Sequence, residues 1–505
     1  MTAAGLFGEL PDQAATKRVV VPGALRLSEP ERDGIELRAM SLDSLIGADH
    51  LARLIWAYVS QLDLSELEST IKAREGVPGH PAIPPRLLLG LWLYATSEDV
   101  RSARHLARLC ERDDAYRWLC GGVGVNHRTL GEFRVGHEEL LNRLLAQSVT
   151  ALVDEGLIDL GMLAQDGVRV RAAAGASSFR RRPRLEELLE ESKAALAELA
   201  KQIDSDPATD EERLRKRRAQ RAAERQVRLE AAVAKVAELE AQQPKPKDSK
   251  PIAAAPAVEP PVADAAVEPP QNTKEGQPQA PRDTVKTEAP RVVAPAVAAV
   301  DGELPETTKN GKHKPPRVST TDPEARVIKM PDGGFRPAYN MQIASVAGDQ
   351  IIVAVDVSAS SSDRGLARPM LEQIDATYGK LPQGHLVDGG YTKNADIEWA
   401  HGTDVAMHCP PVVNKHKTDP LAPRPDDGPG VAAWRKRMAS DAGKATYRKR
   451  SIHECINARF RQWGLQQLTV RGLAKAAIVL TWYAVANNIL QGQRLRQLRQ
   501  AAAAA

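Results

Sequence analysis

The chain has 505 residues, and 69 Lys and Arg against 65 Asp and Glu give a formal net charge of +4. This length allows about two to four domains, and the near balance of charge excludes a uniformly basic chain, so any basic surface is local. Four cysteines without a CxxC pair or zinc-finger spacing argue against a disulfide framework and a structural zinc site. The N-terminus lacks the pattern of a signal peptide, and the longest uncharged apolar run, 476–486, is too short to span a bilayer. We therefore expect a soluble cytoplasmic protein without a membrane segment.

An all-helical region, 36–156, is predicted after an N-terminal tail, 1–35. Ser41 and Ser44 offer N-cap side chains before an apolar segment, and further apolar segments separated by Pro, Gly and polar residues extend to about residue 152. Short helices with polar turns resemble a DNA-binding module of the helix-turn-helix type. A small helical bundle that binds only protein has the same pattern, so the residues alone leave both interpretations open.

A charged helical insertion, 183–243, is predicted next. Leucines recur at steps of three and four along its first part, Pro207 interrupts the pattern, and a capping box at 209–212 begins a second arm, which together indicate a helical hairpin. The stretch 215–228 is nearly all charged and favours a solvated helix. The following segment, 244–316, is rich in Pro, Ala, Val and Glu without a period, which predicts a disordered linker.

The segments 157–182 and 317–496 carry the alternation of an α/β layer. Strands are predicted at 163–170, 338–346, 350–357, 385–387 and 404–408, and helices at 363–378, 394–401, 443–463 and 468–496. This order of strands and helices is typical of a mixed sheet flanked by helices. A C-terminal tail, 497–505, completes the chain.

Three carboxylates stand out by position. Asp166 interrupts an apolar strand, Asp388 follows a short strand and precedes two glycines, and Glu454 lies in a basic helix. Carboxylate oxygens without a His or Cys cluster suit Mg²⁺ or Mn²⁺, and two such ions stabilise the attacking and leaving oxygens of phosphoryl transfer. Each residue also has a plain alternative, because a strand Asp is often a turn or edge residue and a helical Glu is usually solvated.

Four neighbouring residues receive other interpretations. Asp356 also lies in an apolar strand and is the first substitute for Asp166. Asp363 is interpreted as a helix cap, and His453 as a structural residue. Arg459 points away from Glu454 by helical phase, so we expect it to add only non-specific attraction to DNA.

The helix around Glu454 carries a basic face. Residues 411–463 hold 12 Lys and Arg against five Asp and Glu. At 100° per residue, one stripe about 60° wide contains four side chains: Tyr447, Arg450, Glu454 and Arg461. A glutamate between cations and a tyrosine is suited to meet phosphate, although a solvated helix face is also basic.

The spacing Tyr447-x-x-Arg450-x-x-x-Glu454 resembles the signature helix of bacterial insertion-sequence DDE transposases, whose catalytic core is RNase H-like. In that family a Lys commonly follows the Glu by seven residues, where this chain has Arg461. The stretch Asp388-Gly389-Gly390-Tyr391 is similar to the family's second aspartate, and Asp166 in its strand is similar to the first. Two further segments, 319–326 and 333–340, resemble the subgroup that has a coiled insertion and an N-terminal helical domain.

The resemblance implies an α/β fold: an RNase H-like mixed sheet flanked by helices, an all-α N-terminal domain, and a helical-hairpin insertion with a disordered linker. It implies that Asp166, Asp388 and Glu454 are catalytic and bind two Mg²⁺ or Mn²⁺ ions. It further implies that Tyr447, Arg450 and Arg461 contact phosphate of double-stranded DNA.

The implied activity is DNA transposition: binding of the terminal inverted repeats, strand cutting, and joining of the 3′-hydroxyl to target DNA. The implied working form is a homodimer or higher oligomer on DNA, associated with the nucleoid. Two alternatives stay open, namely a catalytically silent DNA-binding regulator on the same fold and a structure-specific nuclease without strand transfer.

Overall fold

The structure is a computed structural model that describes residues 41–74, 78, 80–203, 210–242, 315–412 and 419–504. The predicted N-terminal tail lies outside the described residues, and so does nearly all of the predicted linker 244–316.

Seven helices precede the sheet within the described residues. They are α1 (Leu51–Ser60), α2 (Ser65–Ser69), α3 (Pro85–Ser97), α4 (Ala103–Arg112), α5 (Asp114–Cys120), α6 (His127–Gly136) and α7 (Glu138–Asp154). Polar side chains cap three of them: Ser102 accepts a hydrogen bond from a backbone N–H at α4, Asp113 does so at α5 and Asn126 at α6. The predicted all-helical N-terminal region is confirmed for its described residues.

The insertion forms two long helices, α8 (Arg182–Ile203) and α9 (Asp210–Gln242). Their contact buries Leu185, Leu229 and Val236 together with Val318, which lies beyond the linker. The charged first half of α9 is largely exposed, as at Arg217 and Arg221. The predicted helical hairpin with a solvated charged stretch is thus confirmed for the described part.

A mixed sheet forms the second half of the molecule. Its strands are β1 (Met162–Arg171), β4 (Arg326–Lys329), β5 (Phe335–Val346), β6 (Ile352–Ser358), β7 (Gly384–Leu386) and β8 (Ala406–His408), and a separate small ribbon pairs β2 (Phe179–Arg180) with β3 (Val318–Ser319). The strand order is β4-β5-β1-β7-β8, and β6 also pairs with β5. Antiparallel pairing joins β1 to β5, whereas β1, β7 and β8 run parallel. The predicted mixed α/β layer is confirmed.

Six helices accompany the sheet among the described residues: α10 (Ala367–Tyr378), α11 (Asn394–Gly402), α12 (Pro429–Ala439), α13 (Asp441–Arg448), α14 (His453–Gln462) and α15 (Leu473–Ala504). The predicted continuous helix 443–463 is wrong, because a 3-10 turn, Lys449–Ile452, separates α13 from α14. The strand β4 and the helix α12 were not predicted, and α15 continues beyond the predicted end at residue 496.

The helix α15 joins the N-terminal helices to the sheet. It packs on α3, on α7 and on β6, and one continuous apolar cluster extends through all of them. The Trp482 indole N–H donates to the carbonyl of Arg134 over 2.9 Å. By length and composition α15 is apolar enough to cross a membrane, but 78% of its apolar window is buried inside the fold. A buried central helix passes the same test as a membrane span, so the expectation that there is no membrane segment stays a prediction.

Candidate active site

Asp166 lies in the middle of β1 and is largely buried, with a side chain that is 16% exposed. One carboxylate oxygen accepts from Arg450 Nη2 at 3.0 Å and from the Gly167 backbone N–H at 3.0 Å, and the other accepts from Asn457 Nδ2 at 2.9 Å. Burial raises the pKa of Asp166; Arg450 opposes this effect, and the nearby charges of Asp388 and Asp363 add to it. Asp166 is therefore a carboxylate held among N–H donors near two other acids.

Asp388 stands directly beyond β7, the strand that runs parallel to β1. Its Oδ1 accepts the Gly390 N–H at 2.7 Å and so caps the 3-10 turn Gly389–Tyr391. Because Leu163 of β1 is in register with His385 of β7, the two strands bring Asp388 beside Asp166. The prediction that these two aspartates come together is consistent with this geometry.

Glu454 lies in the first turn of α14 and is exposed. Among the described residues it has no hydrogen-bond or ion-pair partner. It stands four residues after Arg450 and three residues before Asn457, and both of these side chains contact Asp166. Along the chain, Glu454 thus lies between two residues whose side chains hold Asp166.

The three predicted phosphate contacts differ in their surroundings. Arg450 is only 14% exposed; burial lowers the pKa of its guanidinium, but the charge of Asp166 opposes this and the pKa is raised overall. Tyr447 is half-buried, and burial raises the pKa of its hydroxyl. Arg461 is exposed, and its side chain has no partner within the described parts of the chain. Of these three side chains, Arg461 is therefore the most accessible to a phosphate.

Arg459 does not face solvent as expected. Its guanidinium donates to Asn487 Oδ1 on α15 and, over 2.8 Å, to Gln350 Oε1 before β6. The interpretation of Arg459 as a source of non-specific DNA attraction is therefore wrong, because its guanidinium instead forms hydrogen bonds that join α14 to α15 and to the segment before β6.

The interpretation of Asp363 as a helix cap is also wrong. The helix α10 begins four residues later with Leu366 at its N-cap. Instead, Asp363 Oδ1 accepts from Asn340 Nδ2 at 2.7 Å and from Gln342 Nε2 at 2.9 Å. No local sequence pattern predicts this role, because both amide partners lie on β5, more than 20 residues away.

Two other interpretations agree with the structure. His453 is buried, its Nδ1 lies 2.8 Å from Ser345 Oγ, and burial lowers its pKa to about 3, so it is a structural residue. Burial raises the pKa of Asp356, and its carboxylate accepts a hydrogen bond from the Val357 N–H. No charged group contributes to this pKa shift. Asp356 is therefore a poorer candidate than Asp166.

The donor set has the chemistry that a hard divalent cation prefers, since carboxylate and amide oxygens suit Mg²⁺. Asn457 Oδ1 is buried beside Asp166 without a hydrogen-bond partner, so a further oxygen donor is available. Among the described residues, however, no group of three or more His, Cys, Asp or Glu side chains is arranged to hold a metal ion. At present Arg450 supplies the positive charge at Asp166.

Two family models match the chain. Residues 40–135 match a family described as a transposase domain (DUF772), and residues 294–489 match the transposase DDE domain, so together the matches cover more than half of the sequence. Asp388 and Glu454 lie inside the second match, whereas Asp166 lies outside both. No curated protein and no solved structure matches the chain. With its helical N-terminal region and its RNase H-like mixed α/β domain, the chain belongs to the insertion-sequence DDE transposases.

Proposed function

We propose that the protein binds the terminal inverted repeats of its own insertion sequence, cuts a DNA strand there, and joins the freed 3′-hydroxyl to target DNA. The observation that carries this proposal is the placement of Asp166 near Asp388 and in an ion pair with Arg450, within a chain whose family is a transposase family. One phosphodiester replaces another in such a reaction, so no ATP is required.

Asp166, Asp388 and Glu454 are proposed to hold two Mg²⁺ or Mn²⁺ ions. Bound there, such ions supply a lowered pKa for the attacking water and positive charge for the leaving oxygen. The chain itself contributes the placement of the carboxylates: β1 and β7 bring the two aspartates side by side, and α14 is proposed to add Glu454 to them.

Arg450, Tyr447 and Arg461 are proposed to position the DNA backbone. Arg450 already meets an anion in its present ion pair with Asp166, and a phosphate oxygen is an acceptor of the same kind. Arg461 is exposed and its side chain has no partner among the described residues, so its guanidinium is proposed to hold a phosphate next to the cut strand. Tyr447, half-buried near Arg450 and Asp388, is proposed to donate a hydrogen bond from its hydroxyl to the DNA backbone.

The N-terminal helices are proposed to recognise the element ends. Arg104, Arg108 and Arg112 recur every four residues on α4 and are all exposed, and they have no ion-pair partner within the described residues. Such a stripe attracts the phosphates of a duplex. We further propose that the protein acts on DNA as a homodimer or higher oligomer in the nucleoid.

The test is an in vitro reaction with labelled element ends, a target duplex and Mg²⁺. We expect Asp166→Asn, Asp388→Asn and Glu454→Gln each to abolish cutting while end binding in a gel-shift assay stays intact, because each change removes one charge from the site and leaves the DNA-binding arginines in place. Asp375→Asn, an exposed carboxylate on α10, is the matched control and should cut normally.

Three outcomes would contradict the proposal in different ways. A variant that cuts at the wild-type rate means that its residue is misassigned. Wild-type protein that binds its ends but never cuts them supports the silent regulator. Cutting without any joined product supports the nuclease.

A further inference from the structure

A buried polar network lies on the face of the sheet opposite α14. Its six members come from four places in the chain: Gln165, Asn340, Gln342, Asp363, His385 and Tyr391. The residues Gln165 and Gly167 of β1 are in register with Ala344 and Gln342 of β5, so this face is the one that Asp166 does not occupy. All members except Asp363 are buried.

Gln342 is the centre of the network and uses all of its hydrogen-bonding capacity. Its Nε2 donates to Asp363 Oδ1 at 2.9 Å and to Asn340 Oδ1 at 3.1 Å. Its Oε1 accepts from Gln165 Nε2 at 2.8 Å and from the Tyr391 hydroxyl. An amide side chain offers two donors and two lone pairs, so no position on Gln342 is left for another partner.

Asp363 determines which side of each amide in the network donates hydrogen bonds and which side accepts them. An ionised carboxylate only accepts hydrogen bonds, so the N–H groups of Asn340 and Gln342 must turn towards Asp363. The oxygen of Gln342 then faces Gln165 and Tyr391, and Gln165 Oε1 is left to accept from His385 Nε2 at 3.0 Å. Burial raises the pKa of Tyr391, with the charge of Asp363 adding to it, so the hydroxyl remains a donor.

Both catalytic aspartates are attached to this network through the backbone. Gln165 precedes Asp166 directly in β1. Tyr391 ends the 3-10 turn that Asp388 caps. The network therefore links the two segments whose spacing sets the distance between the Asp166 and Asp388 carboxylates.

Gly167 shows how closely the network approaches the site. A Cβ at Gly167 would lie 2.4 Å from Asp363 Oδ1 and 2.6 Å from Gln342 Nε2. The network thus occupies the space of the missing side chain, one residue after Asp166.

We propose that Asp363 and Gln342 are positioning residues that fix Asp166 and Asp388 relative to each other through this directed network. The proposal rests on the proposed function, since it takes the two aspartates as the cation-binding pair. Asp363 acts through Gln342 and Tyr391. Groups that orient the side chains of a metal site typically change affinity or activity by about 10- to 100-fold when they are replaced.

The decisive experiment exchanges the amide of Gln342 and the carboxylate of Asp363 between the two positions. Gln342→Glu alone places a carboxylate against Asp363. Two ionised carboxylates have no N–H or O–H donor, so the hydrogen bond between these two side chains is lost. In the double variant Gln342→Glu/Asp363→Asn, the amide at 363 donates to the carboxylate at 342, and a flip of Asn340 restores the remaining bonds. The double variant has the formal charge of the wild type.

Two measurements on the full chain read out the exchange: Mn²⁺ affinity by calorimetry without DNA, and the cutting rate of a labelled element end at saturating DNA. We expect Gln342→Glu to lower both by roughly 10- to 100-fold and the double variant to recover most of the loss. Tyr391→Phe, which removes only the hydroxyl, should give a smaller loss of the same kind and replaces Gln342→Glu if that variant does not fold. Asp375→Asn should match the wild type in both measurements.

The outcomes separate this inference from the proposed function. Wild-type protein that binds no Mn²⁺ in an Asp166-dependent manner overturns the cation site and this inference with it. If the wild type binds Mn²⁺ but neither Gln342→Glu nor Tyr391→Phe weakens binding, only the positioning role is overturned. A double variant that folds and stays as impaired as Gln342→Glu also overturns it, because Asp363 would then act through its own charge.

Discussion

Two arginines on α14, only two residues apart, are expected to respond to substitution in opposite ways. Arg459 donates to Asn487, which is fully buried, and to Gln350. Arg459→Ala leaves these acceptors without their donors, and each such loss costs about 1–3 kcal/mol. We therefore expect the free energy of unfolding to fall by roughly 2–6 kcal/mol and Tm to fall by roughly 4–24 °C.

Arg461→Ala removes an exposed side chain without a partner among the described residues, so stability should change by less than about 0.5 kcal/mol. If Arg461 binds a phosphate at the cut strand, the lost charge-assisted contact costs about 1.5–3 kcal/mol, or roughly 10- to 150-fold in cutting rate. Arg461→Lys keeps the charge and should retain substantial cutting.

Thermal melts and the cutting rate at fixed salt and Mg²⁺, measured below the melting range of every variant, separate the two effects. Arg459→Ala should lower Tm and, where folded, cut nearly normally, whereas Arg461→Ala should melt normally and cut slowly. If Arg461→Ala cuts as well as the wild type, Arg461 does not face the DNA strand. If Arg459→Ala leaves Tm unchanged, the contacts of Arg459 with α15 contribute nothing to stability.

Two further predictions concern the surroundings of the site. Because burial lowers the pKa of His453 from 6.5 to about 3, the stability due to its neutral form is complete above pH 6.5 and is lost as pH falls towards 3. The free energy of unfolding of the wild type relative to His453→Gln should therefore fall by about 1.4 kcal/mol per pH unit between pH 6 and 4, and equal pH dependence of the two proteins would contradict the burial of the neutral ring. Gly167→Ala should lower the free energy of unfolding by about 1–3 kcal/mol, since its Cβ would lie 2.4 Å from Asp363 Oδ1. An unchanged Tm in a thermal scan would show that the side chains of the network move aside at little cost.

The fold was largely predictable because the elements that position the site carry strong local patterns. β1 is apolar at its start and alternates after Asp166, and α10 shows the period of a half-buried helix, so both were predicted within a few residues of their bounds. β4 was missed because only four residues pair with β5 and no alternation is visible over so short a length. The start of α10 was placed too early because an aspartate before an apolar helix usually caps it, whereas here tertiary partners take the carboxylate.

Only those site residues that stand out individually in the sequence could be predicted. Asp166 and Asp388 stand out as acids at strand positions, and the strand order then brings them together. Asn457 and Gln342 carry no such signal, because an amide on a helix or strand is ordinarily solvated. Their roles depend on partners 291 and 177 residues away, respectively, which only the folded chain brings into contact.

The 3-10 turn Lys449–Ile452 changes how one basic segment meets the two aspartates. A residue advances about 120° in a 3-10 turn but 100° in an α-helix, so four such residues rotate α14 by about 80° relative to a continuous helix. Tyr447 consequently packs beside the cluster that contains Val387 and Tyr391, next to Asp388. Arg450 and Asn457 instead turn towards Asp166, with Glu454 between them. The interruption thus separates Tyr447, which packs beside the residues next to Asp388, from Asn457, which contacts Asp166.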